Sequence, residues 1–336
     1  MPAGVKVAAV TAGDCHTTTL TKQGEVYAWG TFKDKNGVLG FSPAVKVQFA
    51  PAMVYSPAGA ETRAVRIASG SDHVLIMLAN GDVLSFGCAE IGRLGRMSAA
   101  DAEVAIRDAP DAQRPVLLAR ALTPTRVPGL PKAVSIAAGW YNSFVVAEGG
   151  AVWAFGANNY GQLGFEAKDK EAYTFYAPRR VTALDGRGVS AIASGEHHTL
   201  AVVEGGALLS FGRPTDGGLG RRGVDVYSDD AVHTPQPVPP FGPDNPVVAA
   251  CAAGRVSACI TAQGDMYSWG FNSTCMLGKA DEEDEQLPYK LRPTRTFPAA
   301  GGVAVALGGQ HALWLAQPPE DLLVAHERAE KVQRAA

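Results

Sequence analysis

Four histidines in this chain, His16, His73, His198 and His311, each follow a glycine by three residues. Asp14, Asp72 and His197 stand close beside three of them. A histidine near a carboxylate is the raw material of general acid–base chemistry, and recurring Ser and His could furnish a nucleophile and its base. The spacing argues otherwise. The sites recur at about the length of a structural repeat. No Gly-x-Ser-x-Gly, P-loop, His-Glu-x-x-His or strand-to-helix Gly-x-Gly-x-x-Gly accompanies them. Asp, His and Ser therefore read as repeat positions, and covalent catalysis is not expected. The five cysteines (Cys15, Cys88, Cys251, Cys259, Cys275) show no Cys-x-x-Cys and no histidine at zinc spacing. They read as reduced, buried thiols of an intracellular protein, with no metal and no cofactor.

The elements that must position these residues are short strands. The chain has 336 residues, a formal net charge of −3, 38 glycines and 22 prolines, a turn-rich composition with little predicted helix. No run of about 18 apolar residues is present, so no membrane span is expected. Met1-Pro2-Ala3 leads straight into the first strand, without a signal-peptide core or a basic arm.

A small-residue-Gly-x-x-His pattern aligns six copies: Thr11 to His16, Ala68 to His73, Ala137 to Asn142, Ala193 to His198, Ala252 to Ser257 and Ala306 to His311. Their glycines (Gly13, Gly70, Gly139, Gly195, Gly254, Gly308) recur at a near-constant period, the signature of a repeat architecture. In each of the first five copies an apolar strand follows, then a turn at Gly24, Gly81, Gly150, Gly206 or Gly264. A second strand then ends in aromatic-Gly, at Gly30, Gly87, Gly156, Gly212 and Gly270. Its period-2 alternation predicts a half-buried strand. Leu-Gly closes each unit, at Gly40, Gly95, Gly164, Gly220 and Gly278. Small antiparallel sheets of this kind bury both faces when packed radially, with the Ala/Ser/Gly-rich strand innermost. The predicted fold is an all-β, β-propeller.

These motifs, with Ala157 to Gly164 (AlaAsnAsnTyrGlyGlnLeuGly) nearest to consensus, resemble the repeat of the regulator of chromosome condensation superfamily. The resemblance runs to Gln317 and implies a seven-bladed propeller. Six inner halves and five outer halves are counted here, so about one and a half repeats, roughly 85 residues, are expected to be missing at the N-terminus. The expected organisation is a propeller over 1–317 with a long inter-blade insertion at 96–131. A short charged tail at 318–336, begun by Pro-Pro-Glu-Asp, is expected to be helical.

Four outer loops run eight residues from aromatic-Gly to Leu-Gly; the first, Gly30 to Gly40, runs ten. Its Asn36-Gly37 predicts a short protruding hairpin. Phe32, Lys33, Asp34, Lys35, Asn36, Gly37, Val38 and Leu39 resemble the β-wedge of the family branch that exchanges nucleotide on the Ran GTPase. Lys33 stands where that wedge usually has Arg, and the acidic residue usual after it is absent. The resemblance assigns Asp72 and His197 to exchange with the wedge, and Asp14, Asn159 and His311 to partner binding. His16, His73 and His198 read as scaffold.

The resemblance further implies a guanine nucleotide exchange factor for a Ran-type small GTPase, serving nucleocytoplasmic transport and mitosis. The alternative is a non-catalytic interaction scaffold. Nuclear, chromatin-associated localisation follows from the resemblance alone, since no basic import signal is visible, and the cytoplasm stays open. The insertion carries Arg107, Arg114, Arg120 and Arg126. By resemblance it would lie opposite the GTPase and could meet histones or a nucleosome. Slight net acidity and the absent basic arm argue against direct DNA binding.

Overall fold

In the computed structural model, residues 1–2, 4–106, 112–167, 173–221, 225, 228, 230–272, 276–277, 289–297 and 301–316 are described. Five four-stranded antiparallel sheets form five successive blades, followed by a two-stranded pair. Their innermost strands are Val7–Ala12, Ala64–Ser69, Ala133–Ala138, Ala191–Ser194 and Val247–Ala253, and the sixth copy contributes Gly302–Leu307 and Ala312–Ala316. Each inner strand packs beside the next, so the blades are arrayed around one axis. The expected β-propeller is the observed architecture. The tail at 318–336 lies outside the described residues.

In the second, third and fourth blades the second strand is largely apolar on both faces, where a neighbouring blade covers each; in the first it is threonine-rich. His73–Leu78 and Asn142–Ala147 are buried along their whole lengths. In the second and fourth blades the third strand departs from the half-buried expectation. Val83–Gly87 and Leu208–Gly212 are buried at every residue, since the sheets on either side close over both sides of the pleat. Small residues in the inner strand permit this crowding. The glycine at the end of the third strand is required sterically: a Cβ on Gly87, whose φ is +117°, would lie 2.6 Å from the Asp72 carbonyl oxygen.

The repeated histidines stitch blade to blade. His73 Nε2 lies 2.8 Å from Ser143 Oγ in the next blade, and that hydroxyl donates to the Arg93 carbonyl at 2.9 Å. His198 bonds Ser257 at 2.8 Å in the same way, and Ser257 donates to the Gly218 carbonyl. With the hydroxyl proton committed, the imidazole must donate, so both histidines are neutral Nε2–H tautomers. Burial agrees: it holds His73 well below its ordinary value and lowers His198 to about 4. At His16 the next blade offers Val74 in place of the hydroxyl. Both of its ring nitrogens lack a hydrogen-bond partner, and burial lowers its pKa to about 4.

The cysteine reading holds in part. Cys88 and Cys259 are buried free thiols, and burial pushes Cys88 up to about 12. Cys15 and Cys251 are only half-buried, and Cys275 lies outside the described residues.

Candidate partner-binding face

In each blade the first and second strands are joined by a two-residue turn at one end of the array. The turns are Asp14-Cys15, Ser71-Asp72, Trp140-Tyr141, Glu196-His197 and Gly254-Arg255. Backbone hydrogen bonds belt them together. Asp14 N–H donates to the Ser71 carbonyl (2.9 Å), Trp140 N–H to Gly195 (3.1 Å) and Glu196 N–H to Gly254 (2.9 Å). Ser71 reaches the Trp140 carbonyl through its N–H (3.4 Å) and its hydroxyl (2.7 Å). The glycine before each of the first four turns allows this approach; a Cβ on Gly70 would strike both the Gly139 carbonyl and the His73 ring.

The fifth copy corrects the repeat alignment by one residue. Val256, not Ser257, sits opposite the aromatic-Gly glycine, as His16, His73, Asn142 and His198 do in their blades. Gly254, at φ +50°, is a turn residue, and Ala253 takes the place of the repeat glycine. Arg255 therefore occupies the position of Asp72 and His197.

The ten-residue loop forms the expected hairpin, Phe32–Asp34 paired with Gly37–Gly40. Its turn is Lys35-Asn36, one residue earlier than Asn-Gly predicts, because Gly37 already pairs with Asp34. Asp34 Oδ1 accepts the Asn36 N–H at 2.8 Å and tightens the tip. The hairpin leaves the same end of the array as the turns. The second blade grips the free edge of its first strand. Asp72 Oδ1 accepts the Lys33 N–H at 2.7 Å, and Glu90 Oε2 accepts the Lys35 N–H at 3.2 Å. Both carboxylates face one guanidinium, that of Arg93, which is only 2 % exposed. Arg93 lies 3.9 Å from Asp72 and 3.8 Å from Glu90, donates to Ser71 Oγ, and stacks 5.2 Å from the Tyr141 ring centroid. An otherwise unpaired strand edge is thus satisfied by two acids held on one buried cation.

Three expectations change here. Phe32 is fully buried against His16, Phe41 and Phe86, and Leu39 is also buried; they root the hairpin and cannot meet a partner. The surface of the hairpin is Lys33 to Val38, with Val38 53 % exposed. Asp72, 7 % exposed, tethers the hairpin instead of projecting freely. The insertion does not lie at the opposite end. It joins the third strand of the second blade to the fourth, Thr125–Arg126, and so shares the end of the turns and the hairpin. Two of its arginines are paired within the chain: Arg120 with Asp101 at 3.4 Å and Arg126 with Asp82 at 2.9 Å. Arg114 is half-buried, and Arg107 lies outside the described residues.

Toward the axis, His197 stands 4.7 Å from the Tyr160 ring and 6.2 Å from Tyr141. Trp140 meets Tyr141 edge-on at 6.3 Å. Its ring reaches past the fourth blade to Gly254, where an added Cβ would lie 3.5 Å away. Arg213 covers Tyr160 at 4.7 Å, and Asp216 holds Arg255 at 3.2 Å. Burial first, then the Asp72 carboxylate, raise Asp14, while Lys33 and Arg93 oppose. Burial likewise raises Glu196, 3.4 Å from His197, with Arg255 and Arg213 opposing. Lys33 is raised, first by its hydrogen bond with Cys15, then by Asp14 and Asp72. Asp14, Asp72, Lys33 and His197 therefore share one surface. Asn159 is exposed on the third-blade loop, bonded to Gln162 at 2.8 Å. His311 is exposed on the sixth copy, in the repeated histidine slot and not in a turn.

The residues missed in the sequence are Glu90, Arg93, Trp140, Tyr141, Glu196 and Arg255. Arg93 had a visible signal: it replaces Gln in the Gly-Gln-Leu-Gly closure of the third copy. The others follow once the turn register is known.

An RCC1-like domain model matches residues 1–314. The chain is 32% identical to the regulator of chromosome condensation of Xenopus laevis, over 92% of this chain and 69% of that protein. It is 30% identical to the guanine nucleotide exchange factor SRM1 of Saccharomyces cerevisiae, over 92% and 62%. It is also similar to the crystal structure of Prp20p from Saccharomyces cerevisiae, reported with its binding properties to Gsp1p and histones. That similarity has a TM-score of 0.77 at 27% identity and covers 98% of this chain and 73% of that one.

Proposed function

The chain belongs to the RCC1-like domain family, and from that membership we propose that it is a guanine nucleotide exchange factor for a Ran-type small GTPase. Relatives across the same repeats carry the name of exchange factors, so exchange is a role represented in the family. The observation that carries the reading to this chain is the hairpin. Its edge is fixed by Asp72 and Glu90, while Lys33 to Val38 stand out beside an acidic and aromatic face.

Exchange requires no covalent step. Favourable binding to the nucleotide-free GTPase offsets the interactions that depart with the nucleotide, and by linkage each ligand weakens the other. Lys33, Lys35, Asn36, Gly37 and Val38 press on the nucleotide-binding region. Asp14, His197, Asn159 and the Trp140-Tyr141 turn hold the partner, with His311 at the margin. Asp72 acts through the hairpin it tethers. The direction of exchange is set by the cellular ratio of GTP to GDP. Nuclear localisation and service to transport and mitosis belong to the same reading. Histone binding is stated of Prp20p; here Arg120 and Arg126 are paired with Asp101 and Asp82, and no histone contact is assigned to 96–131.

The test is release of a fluorescent GDP analogue from a Ran-type GTPase with catalytic amounts of this chain. Acceleration is expected, and is lost in Asp72→Ala, in His197→Ala, and when Lys33 to Val38 are replaced by an ordinary eight-residue loop. No acceleration from a folded sample overturns the reading in favour of an interaction scaffold. The family holds members named for other roles, among them the ultraviolet-B receptor UVR8 of Arabidopsis thaliana, 26% identical.

A further inference from the structure

The insertion is not a solvated loop. It consists of two helices, α1 (Ala99–Ile106) and α2 (Arg114–Leu122), built into the foundation of the hairpin. Ile106, Leu118 and Leu122 belong to the same buried apolar cluster as Phe32, Leu39 and Phe41. On the other side of the helices, Ala102, Ala105, Leu117 and Ala121 pack on Ala89, Leu94 and Met97 of the second blade. Arg96 locks this arrangement. Its guanidinium donates to Ser85 on the third strand and to the Arg120, Ala121 and Thr123 carbonyls at the end of α2. Those carbonyls are left open by the helix, and a cation there also meets the negative end of the helix dipole.

So anchored, α1 reaches the tip of the hairpin. Lys35 Nζ lies 3.3 Å from both Glu103 carboxylate oxygens, and Asn36 Nδ2 donates to the Ile106 carbonyl at 3.0 Å. The tip residues that remain after Asp72 and Glu90 have fixed the edge are therefore held from a third direction.

We infer that α1 is a bracket for the hairpin, with Glu103 a positioning residue that acts through Lys35 to set where the tip meets the GTPase. This inference rests on the exchange reading for its functional consequence, but its structural part stands apart from that reading. A two-sided grip on a projecting hairpin limits the arc it sweeps, so less ordering remains to be done on docking. The bracket has its effect on the productive geometry and little on overall affinity.

The experiment combines two readouts on Glu103→Ala, an exposed position whose loss leaves the fold intact. Amide hydrogen exchange over residues 33–38 is expected to quicken, with protection elsewhere unchanged. The kcat of GDP release is expected to fall about 2- to 5-fold, the range of one exposed ion pair, with KM for the GTPase unmoved. In a Lys35→Ala background Glu103→Ala adds no further loss, because Glu103 acts through Lys35. Unchanged amide exchange over 33–38 overturns the bracket whatever the activity. An effect on kcat that adds fully to that of Lys35→Ala overturns the route through Lys35. If the unaltered chain fails to release nucleotide, the exchange reading falls, and the amide measurement still decides the bracket.

Discussion

The loops that close the second and third blades begin from one repeat and end differently. In the third blade the loop satisfies itself. Gln162, fully buried, accepts the Tyr160 N–H and donates to Asn159, and Asn158 Oδ1 takes the Leu163 N–H. In the second blade Arg93 stands in the place of Gln162. Its Nε donates to the Glu90 carbonyl at 2.9 Å within the loop, and its terminal nitrogens reach beyond it, to Ser71 and toward Asp72, as well as toward the Glu90 carboxylate. The loop also differs in its backbone: Ile91, a β-branched residue, sits at φ +56°, whereas Tyr160 at the same place in the third loop is outside the left-handed region. A loop closed on itself is scaffold. A loop that directs a buried cation outward organises its neighbours.

Arg93→Gln converts the second loop into a copy of the third. Asp72 and Glu90 then lose the buried counter-charge they share, and unfolding free energy is expected to drop by about 3 kcal/mol or more. Denaturant titration measures this, and kcat for nucleotide release should fall further than partner affinity. A variant as stable as the parent would erase the distinction between the loops.

Acid tests a second contrast, between the partnered His198 and the unpartnered His16. Each takes its proton only near pH 4 when folded and near 6.5 when unfolded. The unfolded chain therefore binds more protons across that window, and stability is lost as pH falls from about 6.5 to about 4. The expected loss is about 3 kcal/mol for each histidine. Asp14 and Glu196, raised carboxyls, act in the opposite sense. His16→Leu should remove its share with no hydrogen bond to lose, whereas His198→Leu also breaks the bond to Ser257. Melting curves at pH 7 and pH 4.5 separate them.

The reciprocal change, Gln162→Arg, sharpens the first comparison. By repeat symmetry the new guanidinium meets Tyr141, Asn159 and His197, with no carboxylate in the places of Asp72 and Glu90. A buried cation without its acid is expected to cost about 2–3 kcal/mol in the same titration.

Trp140→Ala bears on binding alone. The ring caps the axial end of the face as a large aromatic anchor, and its loss is expected to weaken the GTPase complex by about 2 kcal/mol, roughly 30-fold in Kd. Calorimetric titration reads it, with unfolding little changed. A hairpin-only interface would show no effect.

Much of this was legible in the sequence because repetition multiplies weak signals. Strand, turn and aromatic-Gly recur in five copies, so blades, turns and the unequal loop follow from counting. What escaped depends on register and on side-chain direction. Gly254 satisfies the repeat pattern as a letter, yet its positive φ makes it a turn residue, and that slip hid Arg255. Phe32 looks like part of a binding motif until alternation along its strand turns it inward. The end occupied by the insertion was decidable by counting strands, since it follows a third strand as the hairpin does; resemblance pointed the other way. The convergence of Asp72, Glu90 and Arg93 required the packing of one blade on the next.

The belt of hydrogen bonds between successive turns has one further consequence. Apart from the Ser71 hydroxyl, every bond in it uses the main chain: the N–H of Asp14, Ser71, Trp140 and Glu196 and the carbonyls of Ser71, Trp140, Gly195 and Gly254. Outside the second blade, where the Ser71 and Asp72 side chains are themselves engaged, the letters written at the turns take no part in the joinery beneath them. Acid, indole, phenol, imidazole and guanidinium can be exchanged at these positions while the ring keeps its shape. Such a surface can change its clientele by single substitutions without first renegotiating its fold.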